Sequence, residues 1–522
     1  MIVLPNALGL IHNYDTRMNP PDLLLAIDVG TGSVRAALVN ATGRTEAFAA
    51  REHEQIVPRF GWSEQRPADW WHGAVESIRR VLAEVQDAPG RLAGVAACGQ
   101  MHGTVLIDAD GNLTLNEVSL WNDKRTRSLV DRFTQAYGAE AFLSLTANPP
   151  TVAWPAFKLQ WIREHQAEAY ARASTVFMPK DYINFRLTGE RAIDLSEASC
   201  TYLLDVGASC WSPELAGVFG LEMGKLPPLR RPADVLGQVS KPAAAETGLR
   251  EGTPVMVGAG DYPLTLLGSG VIEPGMGSDV TGTSTLITVM ANEPVLDPVI
   301  TNVQGVTGSW AAFTILDAGG DAMRWARRAF HENQYPYTQI VELAASAPAG
   351  AEALLFLPYL NGERLGNNVN ARGQFVGLTG RHGLAHLHRA VMEGVAFASA
   401  RNVQIMKRRG ATLDRLVAAG GGAKTRLWLE IKASIYQCPI LTTVDAECGV
   451  LGCAILAAVG AGLQPDVPSA VSHFVKYAEE IPPNEVWMER YAPMQGLFDD
   501  LCIAGAPFWQ RFDRLSPETQ AN

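Results

Sequence analysis

The chain has 522 residues, 47% hydrophobic and 19% charged, which supplies apolar material for large cores and excludes broad disorder. Lys and Arg number 43 against 54 Asp and Glu, a formal net charge of −11, so a general nucleic-acid or anionic-membrane surface is excluded and small molecules or proteins are the expected partners. The seven cysteines are odd in number and form no C-x-x-C; neither a disulfide framework nor a zinc site is indicated, and a reducing, cytoplasmic setting is expected.

In chain order, the apolar run Met1 to Leu10 is broken by Pro5 and Asn6 with no Lys or Arg before it, unlike a signal peptide. Residues 1–22 are expected to be a disordered leader, with Met18 as an alternative start. Leu23 to Ile27 then reads as a buried strand running into Asp28-Val29-Gly30-Thr31-Gly32-Ser33, and Val34 to Val39 as its hairpin partner. Small residues at the tip leave N–H groups open to an anion, and Asp28 adds a carboxylate suited to a phosphate or Mg²⁺ contact. An ordinary hairpin turn would use the same residues. A helix is expected over Trp70 to Val85 and a strand over Val95 to Cys98. The strand delivers Gly99-Gln100-Met101-His102-Gly103, a mixture of amide, thioether and imidazole that suits a polyol. The alternative is a loop cap at His102 with Met101 in the core. Trp121-Asn122-Asp123-Lys124-Arg125 offers an aromatic plate or a helix start, and Phe157 to His165 a helix.

The strand Val255 to Val257 leads into Gly258-Ala259-Gly260-Asp261, where a carboxylate among small residues could take a hydroxyl proton or cap the next segment. Turn residues concentrate between Gly258 and Gly277, and a domain boundary near 270 is expected there, dividing 23–270 from 271–522. Just beyond it, Asp279-Val280-Thr281-Gly282-Thr283-Ser284 and the apolar run Leu286 to Met290 echo the first hairpin, as a duplicated domain would. The helix Leu384 to Lys407 follows; His382, just before it, and His386, in its first turn, have an i,i+4 spacing that lacks the Glu of H-E-x-x-H and is not read as a metal site. A strand Arg415 to Ala418 enters Gly420-Gly421-Gly422, which is not a P-loop because alanines stand at 418 and 423. Gly449 to Leu463 is too short for a membrane span and reads as a tightly packed buried helix. The alternation of strands and helices specifies an α/β fold.

Taken in order, these segments resemble the FGGY family of carbohydrate kinases, its xylulokinase branch most of all. Further pieces carrying the resemblance are Gly61 to Pro67 (GWSEQRP), Met178 to Tyr182 (MPKDY), Leu187 to Glu190, Leu357 to Arg364, Ala371 to Gly373, and a signature from Gly373 through His386 to Glu393-Gly394. The resemblance implies two actin-like, ribonuclease-H-like domains, the first binding sugar and the second nucleotide, with ATP's γ-phosphate passing to a sugar hydroxyl in the cleft between them. It makes Asp261 the general base and Asp28 the carboxylate that orients hydrated Mg²⁺. Thr31 and Gly32, with Gly282, Thr283 and Ser284, would face the ATP phosphates, and Gly421, Gly422 and Ala423 the adenosine. Met101, His102, Trp121 and Asp123 would contact the sugar, together with Tyr262, which stands where xylulokinases commonly carry Asn. D-Xylulose is the leading substrate, with another pentulose or a linear polyol as alternatives. A non-catalytic sugar-sensing relative is the alternative of a different class, and the presence of both Asp28 and Asp261 argues against it. The resemblance also allows a homodimer.

Overall fold

The computed structural model describes residues 21–363 and 369–515. The expected leader, but for its last two residues, and Arg364 lie outside them. The first half is built on β1 (Leu23–Val29), β2 (Ser33–Asn40) and β3 (Thr45–Glu52), an antiparallel meander. Every residue of β1 is buried, which is why it reads as an unbroken apolar run and not as an alternating one. Helix α1 (Pro67–Glu84) starts with Pro at its first turn, where the missing N–H does no harm. It lays Trp70, Trp71, Ala74, Ile78 and Val81 on β2 and β3. Strand β4 (Leu92–Gly99) pairs parallel with β1, so that Val29 lies beside Gly99. After an insertion carrying α2 (Pro155–His165), strands β5 (Val235–Gln238), β6 (Pro254–Met256) and β7 (Ala259–Gly260) complete the sheet, in the order β5-β6-β4-β1-β2-β3 with β7 beside β4. Helix α3 (Asp261–Gly268) follows at once.

The second half repeats this plan. β8 (Gly275–Thr281) and β9 (Thr285–Ala291) form the hairpin, and β10 (Thr301–Gln304) and β11 (Trp310–Leu316) extend it on one side. After helix α4 (Leu384–Arg408), strand β12 (Leu413–Ala419) pairs parallel with β8; α5 (Arg426–Tyr436) then leads to β13 (Ile440–Thr443) and α6 (Cys448–Gly460), and β14 (Tyr477–Ile481) closes the edge. The order is β10-β11-β9-β8-β12-β13-β14. Six strands therefore correspond one to one, β3-β2-β1-β4-β6-β5 with β11-β9-β8-β12-β13-β14, with the same parallel and antiparallel senses.

Helix α6 belongs to the second half by sequence, yet it packs on the first sheet. Val450, Leu451, Ala454, Ile455 and Ala458 share a core with Leu24, Ala26, Ala37, Val39 and Ala96. It also crosses α3 at closest range, because Gly268 and Gly452 carry no Cβ: one placed on Gly268 would run into the Cys448 carbonyl, and one on Gly452 into that of Leu264. A single cut near residue 270 thus describes the chain order, while the layers exchange one helix across it. Among the described residues no helix is long and apolar enough to cross a membrane, and the expected helix over 449–463 is this buried α6.

Candidate functional site

Both hairpins end in open tips. A Cβ on Gly32 or on Gly282 would meet nothing within 4 Å, so both tips are open to a ligand, although in the second the Gly282 N–H is itself donated to the Ser284 carbonyl at 2.9 Å. In the first, Gly30 N–H donates to the Ser33 carbonyl at 3.0 Å. Beneath it lies a buried amide hub that the sequence offered only as part of GWSEQRP. Gln65 Nε2 donates to the Thr31 carbonyl at 2.6 Å, while Gln65 Oε1 accepts from Trp70 Nε1 at 2.9 Å and Gln100 Nε2 at 2.7 Å. The Thr31 hydroxyl in turn donates to Gln100 Oε1 at 3.3 Å. Asp28, near the end of β1, is 7% exposed; its Oδ2 accepts from Arg35 at 3.3 Å and its Oδ1 has no hydrogen-bond partner. Arg35 also reaches Glu447, beside α6, at 3.3 Å. Burial raises the Asp28 carboxyl above its ordinary value, against the pull of the Arg35 cation.

Asp261 sits where β7 turns into α3. It is the first residue of that helix, and Gly260 occupies the cap position. Its Oδ1 accepts the Tyr262 N–H at 2.7 Å. Burial, and then the nearby charge of Asp28, push its carboxyl up to about 7, with the Tyr262 amide and Arg35 opposing. The small residues before it are required by close approach. Gly258 has φ 73° and Gly260 would, with a Cβ, stand 2.7 Å from Met101 Cγ.

The sugar-site candidates begin at Met101, buried beside Gly260. His102 takes a left-handed backbone, φ 69°, a conformation costing a non-glycine residue ~1–2 kcal/mol. Its ring packs edge-on to Trp154 at 5.1 Å. Burial and the Lys158 cation push the imidazole down to about 3, so it stays neutral, one ring nitrogen donating and the other accepting. Trp121 is 40% exposed and its Nε1 donates to the Thr31 hydroxyl at 3.2 Å, tying the sugar side to the first hairpin.

Two candidates are turned elsewhere. Asp123 is buried; Oδ2 accepts from Ser63 N–H at 2.7 Å and Arg125 Nη2 at 2.8 Å, and Oδ1 from Arg125 N–H and Nε, both at 2.9 Å. It braces the loop that carries Trp121. The Tyr262 hydroxyl pairs with that of Thr288, on β9, at 2.5 Å, and its ring stands against Phe313 at 4.9 Å, so this residue joins the two halves. The MPKDY segment proves equally structural. Lys180 is buried between Asp181 and Asp194 (2.8 Å to the latter), which leaves the nearby buried Glu197 with no hydrogen-bond partner and its carboxyl well above the ordinary range through burial.

In the second half, Gly420 (φ 77°) and Gly422 press on Thr281, at the root of the Gly282–Ser284 tip, where added Cβ atoms would stand 2.7 Å from its carbonyl oxygen and its Cβ respectively. Gly421 faces open space, and Ala423 N–H closes the turn onto the Gly420 carbonyl at 3.3 Å. The tip itself is braced by Gly319 and Gly320, whose N–H groups donate to the Thr283 and Gly282 carbonyls at 3.1 and 2.8 Å. Asp279, the echo of Asp28, has a different fate. It is buried and held by Lys432 Nζ at 2.7 Å, the Thr281 hydroxyl at 2.6 Å and the Tyr436 hydroxyl at 2.9 Å. One hairpin therefore keeps an unpartnered carboxylate oxygen, and its duplicate has sealed the same position.

No group of three or more His, Cys, Asp and Glu among the described residues could cage a metal ion. His382 and His386 cap their own loop instead, accepting from Thr379 N–H at 2.9 Å and Gly383 N–H at 3.2 Å. The free Oδ1 of Asp28 is the oxygen that fits Mg²⁺, an ion that keeps most of its waters and takes one or two carboxylates alongside substrate phosphates.

Two duplicated α/β halves, each presenting an open hairpin tip and a glycine-lined or carboxyl-bearing strand end, define the actin-like two-domain architecture. The chain belongs to the FGGY family of carbohydrate kinases: residues 23–268 match the family's N-terminal domain and residues 278–461 its C-terminal domain. It is 30% identical over 482 residues to the xylulose kinase of Bacillus subtilis, covering 92% of this chain and 96% of that one. It is also 31% identical over 499 residues to an autoinducer-2 kinase of Klebsiella pneumoniae, covering 90% and 92%. The crystal structure of xylulose kinase from Rhodospirillum rubrum superposes with a TM-score of 0.88 at 30% identity, covering 94% of this chain and all of that one.

Proposed function

We propose that this sugar kinase is ATP- and Mg²⁺-dependent and phosphorylates a ketopentose, D-xylulose first, to give D-xylulose 5-phosphate. The observation that carries the reading is the placement of Asp261: a carboxyl at a helix start whose side-chain bond is to the Tyr262 N–H, directly after Gly260, which packs on Met101, and within electrostatic reach of Asp28. In this reading the sugar lies against Met101, neutral His102 and Trp121. Asp261 takes the proton of the attacking hydroxyl as its oxygen bonds to the γ-phosphorus and the bond to the β-phosphate oxygen breaks. Thr31, Gly32, Thr283 and Ser284 hold the phosphates through their N–H and hydroxyl groups, with Gly282 leaving room for their approach, and Gly421, Gly422 and Ala423 support adenosine. Bound beside Asp28, Mg²⁺ would neutralise phosphate charge. The first domain binds the sugar, the second the nucleotide, with the division near 270. Seven unpaired thiols support a cytoplasmic setting.

Another pentulose or a linear polyol is the second reading. It is favoured by Tyr262, whose hydroxyl is taken by Thr288 and leaves the neighbouring sugar position without the amide that Asn would bring, and by the likeness to an autoinducer-2 kinase. An ADP-release assay over a panel of ketoses and linear polyols decides between the two by relative kcat/KM. Asp261→Ala is expected to lose at least about 10³-fold in kcat, base and positioning roles together. Near-normal turnover by that variant would remove Asp261 from the mechanism, and a wild-type enzyme idle on the whole panel would remove the reading.

A further inference from the structure

Lys158 lies on α2, 1% exposed, well outside every segment assigned to substrate. Its Nζ donates to two backbone carbonyls, that of His102 at 2.7 Å and that of Leu120 at 2.6 Å. These belong to different loops. One is the left-handed turn that presents Met101 and His102; the other leads directly into Trp121. One ammonium therefore fixes both walls of the candidate sugar pocket relative to each other. Burial, aided by the Lys158 charge, keeps the His102 ring unprotonated, and burial lowers the Lys158 ammonium itself to about 7.

A lysine buried only for packing would not need both partners to be carbonyls of functional loops. The His102 carbonyl has otherwise only a long contact, 3.4 Å from the Thr104 hydroxyl, and that of Leu120 only the Asp123 N–H at 3.2 Å. Without Nζ, two buried carbonyls would seek water or move, and the strained His102 peptide would lose its main tether. We propose that Lys158 is a positioning residue for the sugar, setting the separation of the Met101–His102 and Trp121 walls and with it the choice among acceptor sugars. The inference rests on the sugar-kinase reading of those walls.

The test uses the full-length enzyme with ATP and the same panel of ketoses and polyols. In K158M, a side chain of similar length without donors, KM for the best acceptor is expected to rise at least tenfold while KM for ATP stays within about threefold, since neither Gly282–Ser284 nor Gly420–Ala423 touches Lys158. The ratio of kcat/KM between the best and second-best acceptor is expected to fall toward one. K158R keeps charge and donors in a wider head and displaces the walls without releasing them; the same split, at about threefold, is expected and can be read even if K158M does not fold. A purely structural lysine would lower thermal stability and the active fraction but leave sugar KM and the acceptor ratio unmoved, and that outcome in both variants overturns the inference. If the wild type phosphorylates no acceptor of the panel, the kinase reading fails first; if it does and the split is missing, only the role of Lys158 falls.

Discussion

Asp261 must be ionised to accept a proton, yet it is largely buried and faces the charge of Asp28. Its folded value of about 7 lies above the ~3.9 of an unfolded chain. The folded state thus holds this proton more tightly, and the associated stability is fully present below the unfolded value and lost as pH rises through about 7. Two outcomes are expected. The kcat/KM of the wild type should fall tenfold per unit below pH ~7 as the base protonates. Asp261→Asn should be nearly inactive but more stable than the wild type at pH 8, by ~1–3 kcal/mol after allowance for its partial opening to solvent, with the difference vanishing near pH 4. Urea denaturation at the two pH values measures this, and a variant less stable at pH 8 would contradict it. At this scale the local placement was legible: Asp28 lies near the end of a strand, Asp261 directly after one, and the small residues at two hairpin tips. The partners that decide their chemistry were not. Gln65 meets Thr31 from 34 residues away and Lys158 meets His102 from 56, pairings that no periodicity announces. Asp123 and Tyr262 read as sugar contacts because polar residues beside a motif look available until their hydrogen bonds are seen.

At the scale of elements, duplication has divided labour between two hairpins of nearly the same sequence. Asp28 keeps an oxygen free, and Asp279 is closed off by Lys432, Tyr436 and Thr281. The echo was legible, but its divergence depends on a lysine 153 residues downstream. Because Asp279 and Lys432 are both buried, Lys432→Met should strand the carboxylate and destabilise the protein by ~3–5 kcal/mol. Adding Asp279→Asn should restore much of that stability, which chemical denaturation of both variants would show; an equally unstable double variant would mean that the lysine acts through packing alone. The α3 and α6 crossing is the second shared element. Gly268 and Gly452 let the helices touch backbone to backbone, and α3 begins with Asp261. Gly452→Ala should force the helices apart, costing ~1–3 kcal/mol and lowering kcat more than either KM, because the displaced group is the base. Steady-state kinetics beside a thermal melt test this, and a variant with only its KM values changed would place the crossing outside catalysis.

For the whole molecule, the acidic balance of −11 means that long-range charge gives a polyanionic nucleotide no help. In the proposed reading affinity comes from backbone N–H and hydroxyl groups at the two tips, one on each half. The halves are joined by the α3 and α6 crossing, the Tyr262 to Thr288 hydroxyl pair, the Arg35 bridge to Glu447, and a buried polar seam in which Asn302 N–H donates to Asn148 Oδ1 at 2.8 Å and Gln304 N–H to the Ser199 hydroxyl at 3.0 Å. Any closure would turn about these contacts. Sugar held by Met101, His102 and Trp121 on the first half, with phosphates held on both, would draw the halves together and exclude water from the γ-phosphate. Enzyme without sugar should therefore hydrolyse ATP at least about 100-fold more slowly than it phosphorylates its acceptor, because an open cleft leaves Asp261 and the phosphate out of line. Solution X-ray scattering should show a smaller radius of gyration with sugar and a non-hydrolysable ATP analogue together than with the analogue alone. Hydrolysis without sugar at the full kinase rate, with no compaction on adding it, would mean that the site is complete in the open state and that the two halves do not need to close for chemistry.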